Sequence, residues 1–191
     1  MGTLTLCNSM QTYLLVRDHM FTSYLPLLNF IEWVSGDRTS TAEWAYNTTS
    51  DGIAYHQVYK QDQYLFTENS NQAEWGNWYW ATKSTSGFTY ESGADSVVRG
   101  AFASSGKLAN AQDTDFRAIN DDWPVFGFAV DLGNVGTTGV DTLFTLSLAQ
   151  EYAIKFTGAN GTVSLPSLWT SYFWSDIEAV CATYLPQFIL R

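Results

Sequence analysis

The chain has 191 residues, 46% hydrophobic and 15% charged, with nine basic residues against nineteen acidic ones for a formal net charge of −10. A chain of this length buries roughly 70% of the surface it exposes when unfolded, so residues 1–191 are expected to form a single domain with a substantial core. Displacing counterions from phosphates takes Lys and Arg, so the charge argues against nucleic acid and anionic membrane surfaces as partners. No run of 18 apolar residues is present to span a bilayer.

In chain order, residues 1–11 are polar and lack the basic region and apolar core of a signal peptide. Strands are then predicted over 41–46, 54–63 and 78–82, with turn signals at Ser35-Gly36-Asp37 and Ser50-Asp51-Gly52. Residues 94–104 break this pattern: Val97, Val98, Ala101 and Phe102 recur at helical spacing up to Gly106, which predicts a short helix. Strands resume over 125–132, 141–149 and 152–157, separated by Leu132-Gly133-Asn134 and followed by Ala159-Asn160-Gly161. In 141–148, Leu143, Thr145 and Ser147 alternate with Phe144, Leu146 and Leu148, the period of a half-buried strand. The fold class expected is mainly β, an antiparallel β-sandwich with a short internal helix and a C-terminal helix. Eight tryptophans and 16% aromatic residues suit a ring-rich core between sheets.

The C-terminal helix is expected over 167–185, capped by Ser167, with Leu168, Tyr172, Ile177, Cys181 and Tyr184 on its apolar face. Trp169, Phe173, Trp174, Val180 and Leu185 widen that face. Such a surface either docks on the sandwich or meets a partner, including a second copy in a homo-oligomer.

Candidate chemistry is sparse. No Gly-x-Ser-x-Gly elbow exists, the histidines are His19 and His56, and His56 in a strand is more naturally structural than catalytic. Two cysteines, Cys7 and Cys181, permit at most one disulfide, which would close a long loop, and make a thiolate zinc site improbable on number alone. Cys181, on an apolar helix face, is expected to be a buried, inert thiol. The acidic cluster Asp113, Asp115, Asp121 and Asp122 begins like a calcium loop, but Phe116 and Arg117 follow where such a loop needs an acid and a glycine. A surface turn in which Asp caps backbone amides and Arg117 pairs with an Asp is the favoured reading. Glu68, Glu74, Asp121 and Asp122 supply carboxylates for acid–base work, but spacing alone brings no two of them together. No metal or cofactor is expected.

The densest feature is Glu74-Trp75-Gly76-Asn77-Trp78-Tyr79-Trp80. Alternation puts Trp78 and Trp80 on one face and Tyr79 on the other. Flat rings beside amides and carboxylates are the materials of a carbohydrate site, because rings stack on sugar C–H faces while polar groups take the hydroxyls. Trp75, Asn77, Trp78, Trp80, Asp121 and Asp122 are therefore candidate sugar-binding residues, with core packing as the competing role for the rings. Asn47-Thr48-Thr49 and Asn160-Gly161-Thr162 are glycosylation sequons, which makes Asn47 and Asn160 candidate modification sites.

Four blocks carry a resemblance. Glu32-Trp33-Val34-Ser35-Gly36-Asp37 and Gln72-Ala73-Glu74-Trp75-Gly76 are followed by Arg99 with Phe102-Ala103-Ser104-Ser105-Gly106-Lys107-Leu108. Last comes Arg117-Ala118-Ile119-Asn120-Asp121-Asp122-Trp123-Pro124-Val125-Phe126. In order and spacing over 32–184 they resemble the N-terminal domain of fungal secreted glutaminase A-like proteins. The resemblance implies a β-sandwich preceding a larger helical catalytic domain, a secreted location, and a family activity of hydrolysing L-glutamine to glutamate and ammonia. It implies no catalytic residue within these blocks. Residues 15–30 fall outside the resemblance and read as an inserted loop, a translated intron, or an added edge strand or dimer contact. Three functions follow as expectations: an accessory sandwich that binds carbohydrate as a lectin does, a glutaminase, or an oligomerising interaction module.

Overall fold

The computed structural model describes residues 13–17, 20–24, 34, 36–131, 142–168, 170–173 and 175–182. Cys7, His19, Trp169, Trp174, Tyr184, Leu185, the turn signal at 132–134 and parts of 15–30 lie outside these. The elements are β1 (Tyr13–Arg17), β2 (Met20–Tyr24), β3 (Thr41–Thr48), β4 (Ile53–Lys60), β5 (Glu68–Asn69), β6 (Gln72–Ala73), β7 (Asn77–Lys83) and β8 (Phe88–Ala94). Helix α1 (Asp95–Ser105) follows, then β9 (Arg117–Ala118), β10 (Pro124–Asp131), β11 (Phe144–Ala149), β12 (Tyr152–Gly158), β13 (Gly161–Pro166) and helix α2 (Asp176–Ala182).

Two antiparallel sheets face each other, as expected of a sandwich. One has the order β1-β2-β10-β8 and the other β11-β7-β4-β3-β9. Strand β2, within the stretch 15–30, pairs with β10 from Tyr24↔Gly127 to Met20↔Asp131, so that stretch contributes sheet. Alternation sorts the side chains. Trp44, Ala54, Val58 and Trp80 from one sheet meet Phe126 and Phe128 from the other in the central core. The intervening residues of the same strands, Ile53, Tyr79 and Ala81, face outward.

A helix closes each outer face. Helix α1 lays Val98 and Phe102 on Val125 and Ala129 of β10. Gly127, between those two, lies so close to the helix layer that a Cβ there would meet Leu108 Cδ1 at 3.1 Å and Val98 Cγ1 at 3.3 Å. With both faces covered, β10 is buried along almost its whole length and reads as an apolar run rather than an alternating one. The helix ends where expected: Gly106 adopts φ 69° and its N–H donates to the Phe102 carbonyl at 2.7 Å. On the other sheet, Val180 of α2 packs with Ile53, Tyr79, Ala81 and Ala149.

The terminal helix starts later than the expected 167, and the stretch before it is differently built. The Ser167 carbonyl accepts from the Ser171 N–H and the Thr170 hydroxyl, and the Phe173 N–H donates to the Thr170 carbonyl at 3.0 Å to close a 3-10 turn at Thr170–Tyr172. The helix restarts at Asp176, where the Ser175 hydroxyl accepts the Glu178 N–H. Leu168 and Tyr172, expected on the docking face, are 74% and 78% exposed, whereas Ala179, Val180 and Ala182 are buried.

His56 sits at the centre of the core, 1% exposed. Its ring stacks on Phe128 with centroids 4.7 Å apart, and Nε2 donates to the Gly127 carbonyl at 3.3 Å. Burial pushes its pKa down to about 3, the carbonyl contact opposing only in part. The folded pKa lies below the unfolded one near 6.5, so the unfolded chain takes up the proton first. The stability this group contributes is complete above about pH 6.5 and is lost towards pH 3, at about 1.4 kcal/mol per pH unit. Replacing His56 with Phe should flatten that part of the acid limb in denaturant titrations repeated between pH 3 and 7; an unchanged slope would refute the assignment.

A buried ion pair ties down the loop after β4. Lys60 Nζ donates to Glu74 Oε1 at 2.6 Å, with the two side chains 6% and 16% exposed, and Thr67 donates to Glu74 Oε2 at 2.8 Å. The Lys60 hydrogen bond, with that from Thr67, holds the Glu74 carboxyl below its ordinary range. Glu74→Gln leaves the Lys60 ammonium buried without its counter-charge and should cost roughly 3 kcal/mol, read as a lowered urea midpoint at unchanged m.

Candidate functional site

Period two decides the fate of the aromatic strand. Strand β7 pairs Trp78 with Val58 and Trp80 with His56, so both tryptophans point inward. Trp80 is 4% exposed and stacks near Phe144 (5.3 Å between centroids) and Phe128 (6.0 Å), which leaves its ring enclosed. Trp78 is half-buried against the same core. Of the two roles open to these rings in the sequence, they occupy the core. Asn77, on the Tyr79 side of the strand, is half-buried opposite Tyr59 and Ala149. Trp75, also half-buried, donates from Nε1 to the Tyr152 carbonyl at 2.7 Å and leans on Phe66 at 5.4 Å.

Asp121 and Asp122 lie elsewhere, in a surface recess of about 410 Å³ whose walls include Val97, Gln112, Asp113, Asp115 and Arg117. None of the three β7-region tryptophans lines it. The recess exists because the chain between α1 and β9 crosses from one sheet to the other. At its start, residues 111–113 run beside β8: the Ser92 N–H donates to the Ala111 carbonyl at 3.1 Å and the Asp113 N–H to the Ser92 carbonyl at 3.2 Å. At its end, β9 pairs with β3.

Arg117 organises the loop between. Its Nη1 donates to Asp113 Oδ2 at 2.7 Å and to the Asp115 carbonyl at 2.6 Å, its Nε donates to the Asp121 carbonyl at 3.0 Å, and the guanidinium lies over the Trp44 ring at 5.5 Å. Asp113 Oδ1 accepts the Asp115 N–H at 2.9 Å, so the Asp-Thr-Asp start is an Asx turn. Among the described residues no group of acids, histidines and cysteines is arranged to hold a metal.

One candidate was missed by reading β7. Trp123, directly after Asp122, is 38% exposed, and Phe116 is 40% exposed. Asp122 and Trp123 both adopt positive φ, 53° and 46°. The left-handed pair turns two carbonyls towards the first residue of α1: the Asp95 N–H donates to the Asp122 and Trp123 oxygens at 3.3 and 3.0 Å. A tryptophan in that region is strained by about 1–2 kcal/mol, and strain of this kind collects at functional sites. The Asp-Asp-Trp-Pro run carries no signal of this: a proline favours extended backbone in the residue before it, whereas Trp123 is left-handed.

The other reactive groups are placed structurally. Cys181 is a free, half-buried thiol whose pKa is raised chiefly by burial. Asn47, near the end of β3, and Asn160, in the β12–β13 turn, are both exposed, as an acceptor of a glycan must be.

Comparison with known proteins places these features in a family. Residues 30–186 match the domain of unknown function DUF5127. Glutaminase A of Aspergillus oryzae is 57% identical over 150 residues, covering 78% of this chain and 22% of that protein. A probable glutaminase of Arthroderma benhamiae is 32% identical over 162 residues, covering 78% of this chain and 18% of its own length. The chain thus spans about a fifth of the length of the curated relatives it matches, in their N-terminal region. By a match that covers the described sandwich from Val34 to α2, this chain belongs to the DUF5127 family.

Proposed function

We propose that this chain serves as an accessory sandwich domain of a glutaminase A-type hydrolase, supporting through binding and positioning a reaction carried out elsewhere. The observation that carries the reading is the extent of the match: 57% identity across most of this chain but only 22% of the Aspergillus glutaminase. The internal chemistry agrees with it. His56 is buried and held neutral in the stack, Asp113 is paired with Arg117, and burial disfavours the Cys181 thiolate. Purified chain incubated with L-glutamine should release ammonia no faster than buffer; turnover would make it a glutaminase in its own right and overturn the accessory role.

Within that role, the recess beside α1 is the binding surface, and a carbohydrate is the ligand class it suits. An exposed Trp123 ring stands next in the chain to the exposed Asp121 and Asp122 that line the recess, the pairing of flat apolar face and hydroxyl acceptors that sugars use. The chemistry first sought on Trp78 and Trp80 moves to this side of the molecule, and a sandwich carrying it would act outside the cell, where Asn47 and Asn160 could be glycosylated. On a glycan array, Trp123→Ala and Asp122→Asn should each weaken binding about tenfold or more at an unchanged melting temperature, since a stacked ring or a charged hydrogen bond is worth about 1–3 kcal/mol. A wild-type chain that binds no glycan would rule out the sugar and leave the accessory role intact.

A further inference from the structure

Exposed apolar side chains gather towards one end of the chain. Ile154, Phe156, Val163, Leu165, Leu168 and Tyr172, all within residues 154–172, are 39–78% exposed. Four of them form one surface. Strands β12 and β13 pair with each other and with no other described strand. Their register sets Ile154 opposite Leu165 and Phe156 opposite Val163. Period two puts these four on one face, while Lys155, Thr157, Thr162 and Ser164 take the other, where Thr157 and Thr162 share a hydrogen bond at 3.0 Å. The hairpin is thus cleanly amphipathic, yet both faces are exposed. An isolated two-stranded hairpin is marginal in water, and a contiguous exposed apolar face marks a contact surface.

The base of the hairpin is fixed to the sandwich. Trp75 Nε1 donates to the Tyr152 carbonyl, while the Ser167 N–H, donating to the Glu151 carbonyl at 3.3 Å, closes the base of the hairpin on itself. The arm therefore has a defined origin on the domain.

We propose that the Ile154–Phe156–Val163–Leu165 face docks against the polypeptide that makes up the rest of a glutaminase A-type protein. The proposal rests on the accessory-domain reading. Two observations select this occupant. The hairpin lies inside the family match at 30–186, so it is part of the shared domain. In the matched glutaminases that N-terminal region is 18–22% of the length, so most of their polypeptide lies outside the shared domain and is what an exposed apolar face of it would meet.

The test is carbene footprinting of side chains, resolved to the β12–β13 segment, on this chain alone and on intact Aspergillus oryzae glutaminase A. The apolar face should label heavily and independently of concentration in this chain, and severalfold less in the matching segment of the intact glutaminase. Equal labelling in the two proteins overturns the proposal, and so does protection that grows with the concentration of this chain, which would assign the face to a second copy. The paired variant Phe156→Ser with Val163→Ser should leave the melting temperature of this chain unchanged; a large fall would mean that the face is used internally and would also overturn it. Glutamine hydrolysis by this chain would remove the accessory reading without altering the footprint, so the two failures are distinguishable.

Discussion

Phe128 is the residue on which the two sheets close. It is fully buried, stacks on His56 at 4.7 Å, faces Trp80 at 6.0 Å and touches Phe88 at 5.3 Å. Rings from β4, β7, β8 and β10 therefore meet at one point, and truncating that ring to Ala removes contacts worth about 3–5 kcal/mol. The cluster explains why a histidine can be held neutral in a protein interior. His56 fills an aromatic position, and its polar requirement is met in part by the Gly127 carbonyl of the facing sheet. It also explains the tryptophans of β7, whose inward faces complete the same layer.

The outer layers depend on that arrangement. Because β10 is clamped from inside by Phe126 and Phe128, its outward residues can accept α1, and Gly127 lets Leu108 and Val98 approach closely. The crossing from α1 to β9 then falls at the sandwich edge, where Arg117 draws Asp113, Asp115 and Asp121 around its guanidinium over Trp44. The recess is a consequence of this crossing: Arg117 pairs with the Asp113 carboxylate and holds the loop through the backbone carbonyls of Asp115 and Asp121. The same geometry forces Asp122 and Trp123 into left-handed backbone and leaves the tryptophan ring partly in solvent.

The C-terminal portion follows a different logic. Helix α2 is held by Val180 against the outer face of β7 and β11, with Tyr79 donating to Asp176 at 3.4 Å. Between that anchored helix and the anchored base of the β12–β13 hairpin, the apolar residues project away from the core. The domain thus has a rigid sandwich carrying an acidic recess and an apolar arm as separate surfaces. A domain that spans a fifth of its glutaminase relatives would need at least one surface to join the rest.

Period-two alternation and turn chemistry determined the sandwich, because a half-buried strand writes its two faces into consecutive residues. The helix stop at Gly106 was equally local, since the left-handed cap it requires favours glycine. The family was legible in the Glu-Trp-Val-Ser-Gly-Asp and Asp-Asp-Trp-Pro blocks for the same reason: they are contiguous. Tertiary structure decided what alternation leaves open, namely which face is inside. Trp78 and Trp80 share a face by sequence, but only their partners Val58 and His56 make that face the core. The start of the terminal helix was not legible, because apolar residues at helical spacing do not reveal that the Ser167 carbonyl closes a separate turn and that Ser175 begins the helix. The left-handed backbone of Trp123 was decided by its long-range contact with the start of α1, since a strained backbone is imposed by the groups that hold it and not by the residue that bears it.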